Sequence, residues 1–152
     1  MKSYCTRLLL GTLLLAVCLA TAVDTTAFWE KETGESLHFQ VFSGYQEIDE
    51  YFPKGESGMY YSLFSRSLSR LNESTEVPLV MWLNGGPGSS SHFGAFMELG
   101  PIRILQKKPS LAKYSWNNLG HLLIIDQPLN VGFSFQGDRT GKKQVSTSNQ
   151  AA

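Results

Sequence analysis

The stretch PLVMWLNGGPGSSSHFGAFMELGP, residues 78–101, passes from an apolar run through Asn-Gly-Gly-Pro-Gly into three serines and a second apolar segment. The first apolar run, residues 77–83, is short and nearly continuous, which is typical of a strand covered on both faces. Residues 91–99 follow serines that can cap a helix. Apolar or small residues recur there at the spacing of one helix face: Phe93, Phe96, Met97 and Gly100. We therefore predict a strand, a glycine-rich turn and a helix in succession.

Further strands are predicted on either side of this stretch. Residues 35–48 alternate apolar and polar side chains, with a turn expected at Ser43-Gly44. Residues 59–67 return as a second strand, so the two form a hairpin. Residues 121–128 contain another buried apolar strand. Two buried strands separated by a helix predict a β-α-β unit in a mixed sheet, and hence an α/β fold.

The N-terminus has the pattern of a secretory signal peptide. Lys2 and Arg7 precede the uncharged apolar residues 8–20, and small residues lead to an expected cleavage site after Ala22. The alternative is a signal anchor that stays in place. Cleavage would remove both cysteines of the chain, so we expect no disulfide in the mature protein, although the compartment is oxidising.

Charge and composition identify no partner. The chain has 13 basic and 13 acidic residues, so its formal net charge is zero, and nothing in it indicates nucleic-acid binding or disorder. In a secreted chain, Asn72-Glu73-Ser74 is an acceptor pattern for N-glycosylation, and we expect Asn72 to be a site.

The glycine-rich segment Asn84–Gly88 lies where a buried strand ends and a helix is about to begin. In an open α/β sheet, ligands bind at this edge. Glycines adopt positive φ and let the backbone approach a ligand, so their N–H groups can converge on one oxygen. On the glycines alone, a plain turn is an equally good interpretation.

Several motifs in order along the chain resemble the serine carboxypeptidase family. These are SGY at 43–45, WLNGGPGSSS at 82–91, ELGP at 98–101, YSWNN at 114–118 and DQPLNVGFSF at 126–135. The resemblance runs from about residue 35 to the end. It implies that residues 23–152 are the N-terminal part of an α/β-hydrolase mixed sheet, incomplete and ending before the nucleophile, after a signal peptide at 1–22.

The resemblance also implies roles for individual residues. Gly86 matches the position whose backbone N–H lines the oxyanion hole. Trp82, Asn84 and Gly85 match positions around the free C-terminal carboxylate of a peptide substrate, and Glu98 matches a buried glutamate in the same hydrogen-bond network. Carboxyl groups held near a substrate carboxylate must share protons, because like charges raise one another's pKa, so we expect binding to be favoured at acidic pH.

The catalytic triad of the family is not found in this sequence. The family nucleophile stands in a G-x-S-x-G turn, and no such pattern occurs here; Ser57 in KGESGM and Ser134 in GFSFQG do not fit it. Asp126 ends a predicted strand, but the family's catalytic acid lies farther downstream, so we interpret it as framework. The three histidines are expected to be structural or at the surface: His38, His92 and His121.

The resulting expectation is the N-terminal part of a secreted or lysosomal/vacuolar serine carboxypeptidase. Its substrates would be peptide or protein C-termini, cleaved through an acyl-enzyme. The resemblance implies no cofactor, no metal, no nucleic acid and no membrane contact after signal cleavage. We expect the chain alone to be inactive, with the nucleophile beyond Ala152. The alternatives are an acyltransferase of the same family and a short secreted binding protein without catalysis.

Overall fold

The computed structural model describes residues 22–48, 56–66 and 77–137, and the following statements concern those residues. The signal segment before Ala22 and the glycosylation pattern at Asn72 lie outside them. The larger elements, in chain order, are β1 Val23–Asp24, α1 Thr26–Thr33, β2 Phe39–Glu47, β3 Ser57–Arg66, β4 Leu79–Trp82, α2 Ser91–Gly94, β5 Ile102–Leu105, β6 Lys108–Leu111, β7 His121–Ile125 and β8 Phe135–Gln136. A π-helical turn, Ala95–Leu99, continues α2, and a 3₁₀ turn, Trp116–Asn118, precedes β7.

The main sheet is mixed, which confirms the predicted α/β class. Its strand order is β1-β2-β3-β7-β4, and β8 pairs with the start of β3. Strands β2 and β3 form the predicted antiparallel hairpin, whereas β4 runs parallel to β7. The connection from β4 to β7 contains α2, so the predicted β-α-β unit is present. Strands β5 and β6, which the sequence analysis did not predict, form a separate two-stranded sheet.

The turn predicted at Ser43-Gly44 is wrong. Both residues lie inside β2, where Ser43 is opposite Ser62 and Gly44 is opposite Tyr61. The extended conformation continues through them because β3 supplies a partner at each position. A glycine in a strand interior weakens the strand but does not end it.

The predicted helix is present, but its buried face differs from the prediction. Phe93 and Met97 are 56% and 42% exposed, whereas the residues facing the core are His92, Ala95 and Leu99. The buried positions keep ordinary helical spacing but are rotated by one position from the prediction, and Phe96, a predicted member of the face, is partly buried against the core. The Gly100 N–H bonds the Ala95 carbonyl at 2.9 Å, an i→i+5 bond that widens the turn.

Side chains on the two faces of the sheet form two apolar clusters. The larger packs beneath α2 and its π turn, with α1 contributing Trp29; its buried members are Phe39, Val41, Phe64, Ala95, Leu99, Ile102, Leu122 and Ile124. The smaller cluster on the other face centres on Tyr61, Leu63 and Leu123. Strand β7 contributes to both, which confirms that it is buried on two sides.

Strand β4 is less covered than the sequence analysis predicts. It is the last strand in the sheet order and pairs only with β7 among the described residues. Met81 is 50% exposed and Leu83, just after the strand, is 43% exposed. Among the described residues β4 is therefore an edge strand, which its uninterrupted apolar run does not predict. Neither of the described helices has the length and apolarity needed to cross a bilayer.

Candidate functional site

The glycine loop, residues 84–88, leaves the carboxyl end of β4 and enters α2. Gly86 and Gly88 have φ of 138° and 106°, and the Gly86–Pro87 peptide is cis. A Cβ added at Gly86 would lie 3.1 Å from the Gly88 nitrogen and 3.2 Å from the Ser89 nitrogen. Only glycine fits this conformation, and its absence of a side chain lets successive backbone amides approach one another at an exposed turn.

Asn84 is the only loop residue whose side chain the surrounding structure holds in a defined orientation. The Trp82 indole Nε1 donates a hydrogen bond to Asn84 Oδ1 at 2.7 Å. Because an indole N–H can only donate, this contact identifies the oxygen of the amide. Asn84 Nδ2 donates to Ser89 Oγ at 3.2 Å. Among the described residues that is its one acceptor, so the second Nδ2 hydrogen remains available for a ligand.

The backbone of Asn84 is also fixed. Its N–H donates to Ser91 Oγ at 3.0 Å, and its carbonyl accepts from Gln127 Nε2 at 3.2 Å. A Cβ on Gly94 would come within 2.5 Å of Asn84 Oδ1 and 2.7 Å of Trp82 Nε1, so the pair packs directly on the helix. The amide is therefore preorganised by β4, by α2 and by the segment after β7.

Glu98 does not fit the expectation of a buried carboxyl group in this network. Its side chain is exposed on the π turn, beside the exposed Met97. The backbone carbonyl of Glu98 accepts from Arg103 Nη2 at 2.7 Å, but its carboxylate makes no bond to Asn84 within the described residues. The wider turn directs the neighbouring Leu99 into the core and leaves Glu98 on the solvent side.

Asp126 lies at the carboxyl end of β7, fully buried, and organises the segment after the glycine loop. Its Oδ1 accepts from Ser90 Oγ at 2.7 Å and from the His92 N–H at 3.3 Å, while Oδ2 accepts from the Phe133 N–H at 3.0 Å. Burial alone would raise the pKa of Asp126, but hydrogen bonds from His92, Phe133 and Ser90 outweigh it and lower the pKa to about 2. The group is a charged anchor at neutral pH.

His92 connects this anchor to the centre of the sheet. Its Nδ1 lies 3.0 Å from Asp126 Oδ1, off the line of the N–H bond, and its Nε2 lies 2.8 Å from Ser62 Oγ. A carboxylate beside Nδ1 favours the tautomer with hydrogen on Nδ1, so Nε2 accepts from the Ser62 hydroxyl. All three residues are buried.

Ser62, His92 and Asp126 follow one another in the order of a catalytic triad, but the setting of Ser62 differs from that of an active-site serine. Ser62 lies in the middle of β3, opposite Ser43 on one side and Ile124 on the other. The nearby backbone amides are engaged in the strand ladders and cannot converge on an oxyanion. We therefore interpret the three residues as a structural relay. The sequence analysis assigned His92 and Asp126 to the framework but did not predict that they touch.

Ser57 and Ser134, which the sequence analysis compared with the nucleophile pattern, have structural roles. The Ser57 hydroxyl donates to the Ile48 carbonyl at 2.9 Å. The Ser134 hydroxyl donates to the Asp126 carbonyl at 2.6 Å and accepts from the Tyr60 N–H at 2.8 Å. Both side chains are buried and engaged in connecting strands, so neither is presented to a substrate.

The remaining histidines lie away from the glycine loop. His121 begins β7, where its Nδ1 is 3.0 Å from Ser65 Oγ, and burial lowers its pKa with a smaller contribution from the Arg66 charge. His38 is exposed, and its ring contacts Phe39 edge to face. Both placements agree with structural or surface roles.

Comparison with known proteins gives one consistent result. Residues 31–152 match the sequence profile of the serine carboxypeptidase family. The chain is similar to carboxypeptidase Y homolog A of Penicillium rubens, with 45% identity over 97 residues, covering 63% of this chain and 16% of the relative. The corresponding protein of Talaromyces marneffei is 43% identical over 98 residues, covering 64% of this chain and 16% of the relative.

A solved structure agrees with these sequences. The fold is similar to that of Kex1(delta)p, a prohormone-processing carboxypeptidase from Saccharomyces cerevisiae, with a TM-score of 0.55 and 36% identity. The match covers 70% of this chain and 23% of the yeast chain. This chain thus spans about a sixth to a quarter of the proteins it resembles. The family match over most of its length, together with the mixed sheet and the glycine loop at the end of β4, places the chain in the serine carboxypeptidase family.

Proposed function

We propose that the glycine loop binds the free C-terminal carboxylate of a peptide, as the recognition segment of a serine carboxypeptidase that releases C-terminal residues through an acyl-enzyme. The observation that carries this proposal is the orientation of Asn84. Trp82 holds the amide oxygen, and one amide hydrogen has no acceptor among the described residues, next to an exposed loop of glycines. A carboxylate only accepts hydrogen bonds, so it requires such donors.

The backbone of the loop supplies the other proposed contacts. The Gly86 N–H would be one donor of the oxyanion hole, and such a donor stabilises a transition state by about 3 kcal/mol in known hydrolases. Gly85 would contribute its N–H to the substrate carboxylate, and Trp82 would flank it. The positive φ of Gly86 supports these roles because it frees the loop amides from regular secondary structure.

Glu98 is retained in this proposal with a conditional role. A carboxyl group can bind a substrate carboxylate only when one of the two is protonated, so its participation would favour acidic pH. Its exposed side chain has no partner among the described residues that prevents it from turning towards a ligand. Replacement of Glu98 by Gln should preserve binding and flatten the pH dependence if the role is correct.

Catalysis by this chain alone is not part of the proposal. The 152 residues contain no G-x-S-x-G pattern, and Ser57, Ser62, Ser134, His92 and His121 are engaged in structural contacts. We propose that it does not hydrolyse peptides by itself. Passage through the secretory pathway to an extracellular or lysosomal/vacuolar compartment, with N-glycosylation at Asn72, is proposed from the sequence patterns alone.

The test compares a short peptide acid with the same peptide carrying a C-terminal amide, by calorimetric titration of the full chain. We expect the acid to bind at least about tenfold tighter, because an amide cannot replace a carboxylate in charge-assisted bonds. Asn84→Asp keeps the acceptor for Trp82 but adds a repelling charge, so it should abolish that preference at pH 7. Gln46→Glu makes the same change on an exposed part of β2 and should have no effect. Equal affinity for acid and amide would contradict the proposal, and release of the C-terminal residue would contradict the expected lack of hydrolysis.

A further inference from the structure

A cavity of about 290 Å³ lies between the sheet and the helices that cover it. Its walls come from α1, β3, the π turn and the segment before β8. Six aromatic side chains line it: Phe28, Trp29, Tyr60, Phe64, Phe96 and Phe133. Apolar walls of this kind are typical of sites for small organic molecules, with few polar groups to orient the ligand.

Besides the Trp29 indole, five lining residues carry polar side-chain groups: Thr25, Ser43, Tyr60, Ser62 and His92, of which Ser62 and His92 are the most buried. Both side chains line the cavity, and both are at least nine-tenths buried. With the hydrogen of His92 assigned to Nδ1, which lies 3.0 Å from Asp126 Oδ1, Nε2 accepts from the Ser62 hydroxyl at 2.8 Å. The lone pairs of Ser62 Oγ remain for a hydrogen bond from outside the relay. Ser62 Oγ therefore offers an acceptor to a molecule in the cavity.

From this geometry, we propose that the cavity binds a small neutral aromatic molecule that donates one hydrogen bond to Ser62 Oγ. An anion is disfavoured, because the aromatic faces carry negative charge density and the charged Asp126 lies just behind His92. The site is separate from the glycine loop, and it does not depend on peptide recognition. The buried relay gives the serine its orientation in the cavity.

The volume sets the size of the ligand. An engineered apolar cavity of about 150 Å³ accommodates benzene, so a cavity about twice as large accommodates two fused rings. A ligand with a ring hydroxyl or a ring N–H would fill the space and reach the serine. 2-Naphthol is a suitable probe, and 2-methoxynaphthalene is its control without a donor.

The experiment is a calorimetric titration of the full chain with the two probes. We expect 2-naphthol to bind about three- to tenfold tighter than 2-methoxynaphthalene, the factor that one neutral hydrogen bond supplies. The anion 2-naphthoate should bind more weakly than either. This comparison uses the unchanged protein, so it decides the proposal even if a variant fails to fold. Equal affinities for the two probes, or no binding of either, would overturn the proposal.

Two variants locate the contact. Ser62→Ala should reduce the affinity for 2-naphthol to about that for 2-methoxynaphthalene and leave the latter unchanged. Ser65→Ala is the matched control, because Ser65 also pairs with a histidine, His121, but does not line the cavity. It should leave both affinities unchanged. If Ser62→Ala keeps the preference for 2-naphthol, the assigned hydrogen bond is wrong.

Discussion

Replacing Asp126 by Asn should destabilise the protein more than any other isosteric change near the glycine loop. The carboxylate accepts hydrogen bonds from the Ser90 hydroxyl and from the N–H groups of His92 and Phe133. An Asn side chain has one acceptor oxygen. Whichever way the amide is turned, its NH₂ group faces at least one buried donor.

The expected magnitude has two parts. Folding lowers the pKa of Asp126 from the ordinary 3.8 to about 2, which corresponds to about 2 kcal/mol of stabilisation by the charged form. The unmatched donor adds about 1–3 kcal/mol. We therefore expect Asp126→Asn to lower the free energy of unfolding by about 3–5 kcal/mol at pH 7.

The pH dependence gives an independent check. Because the pKa of Asp126 is lower in the folded state, its contribution is complete above the unfolded value near 4 and is lost as the pH falls to about 2. Between pH 5 and pH 2, the free energy of unfolding of the unchanged protein should fall by about 2 kcal/mol more than that of Asp126→Asn. Urea unfolding followed by circular dichroism at several pH values measures both quantities.

Asp24→Asn is the matched control. Asp24 is exposed and accepts one hydrogen bond from the Thr26 N–H, which an Asn side chain can also accept. Its effect should stay within about 0.5 kcal/mol. The reasoning is refuted if Asp126→Asn costs no more than this control, or if both proteins lose stability in parallel below pH 5.

Four further substitutions test the packing around the loop. Gly132→Ala should cost about 2–4 kcal/mol in thermal unfolding, because φ is 57° and the added methyl group would overlap the Asp126 carboxylate. Gly94→Ala should lower the free energy of unfolding by about 1–3 kcal/mol, because the added methyl group would displace Trp82 and Asn84. Gly85→Ala is its control: a Cβ there meets nothing within 4 Å, so the same unfolding assay should show a change within about 0.5 kcal/mol. Ser90→Ala removes both the helix cap and a bond to Asp126, so urea unfolding should show a loss of about 1–2 kcal/mol; no loss would mean that the cap is dispensable.

Much of the fold could be predicted because local patterns agree with the tertiary structure. The alternation in residues 35–48 and 59–67 gives the β2–β3 hairpin, and two apolar runs around a capped helix give the parallel β4–β7 pair. The same patterns give wrong predictions where the structure depends on neighbouring strands. Ser43-Gly44 is typical of a turn, but the pairing with β3 keeps it extended. The apolar run of β4 does not reveal that, within the part of the chain that the structure describes, one side of the strand is unpaired.

Which face of the helix is buried depends on how α2 packs on the sheet, and a local pattern does not specify that packing. The buried face is rotated by one position from the prediction, so Phe93 and Met97 point outward, and Glu98 is exposed. The contact of His92 with Asp126 did have a signal in the sequence. His92 follows the loop after β4, and Asp126 directly follows β7. The carboxyl ends of parallel strands meet at one edge of the sheet, so the two residues are expected to lie close together. The partnership with Ser62 depends on the register of β3, which no local pattern specifies.

The most direct test of the account is an NMR titration of the ¹⁵N-labelled full chain with a peptide acid and with its C-terminal amide. The signals to follow are the side-chain amide of Asn84 and the backbone amides of Gly85 and Gly86. We predict that the acid shifts all three, that the amide shifts none, and that the indole N–H of Trp82 remains bonded to Asn84. Equal shifts with both peptides, or shifts confined to residues away from the loop, would contradict the claim that this loop recognises a free C-terminus.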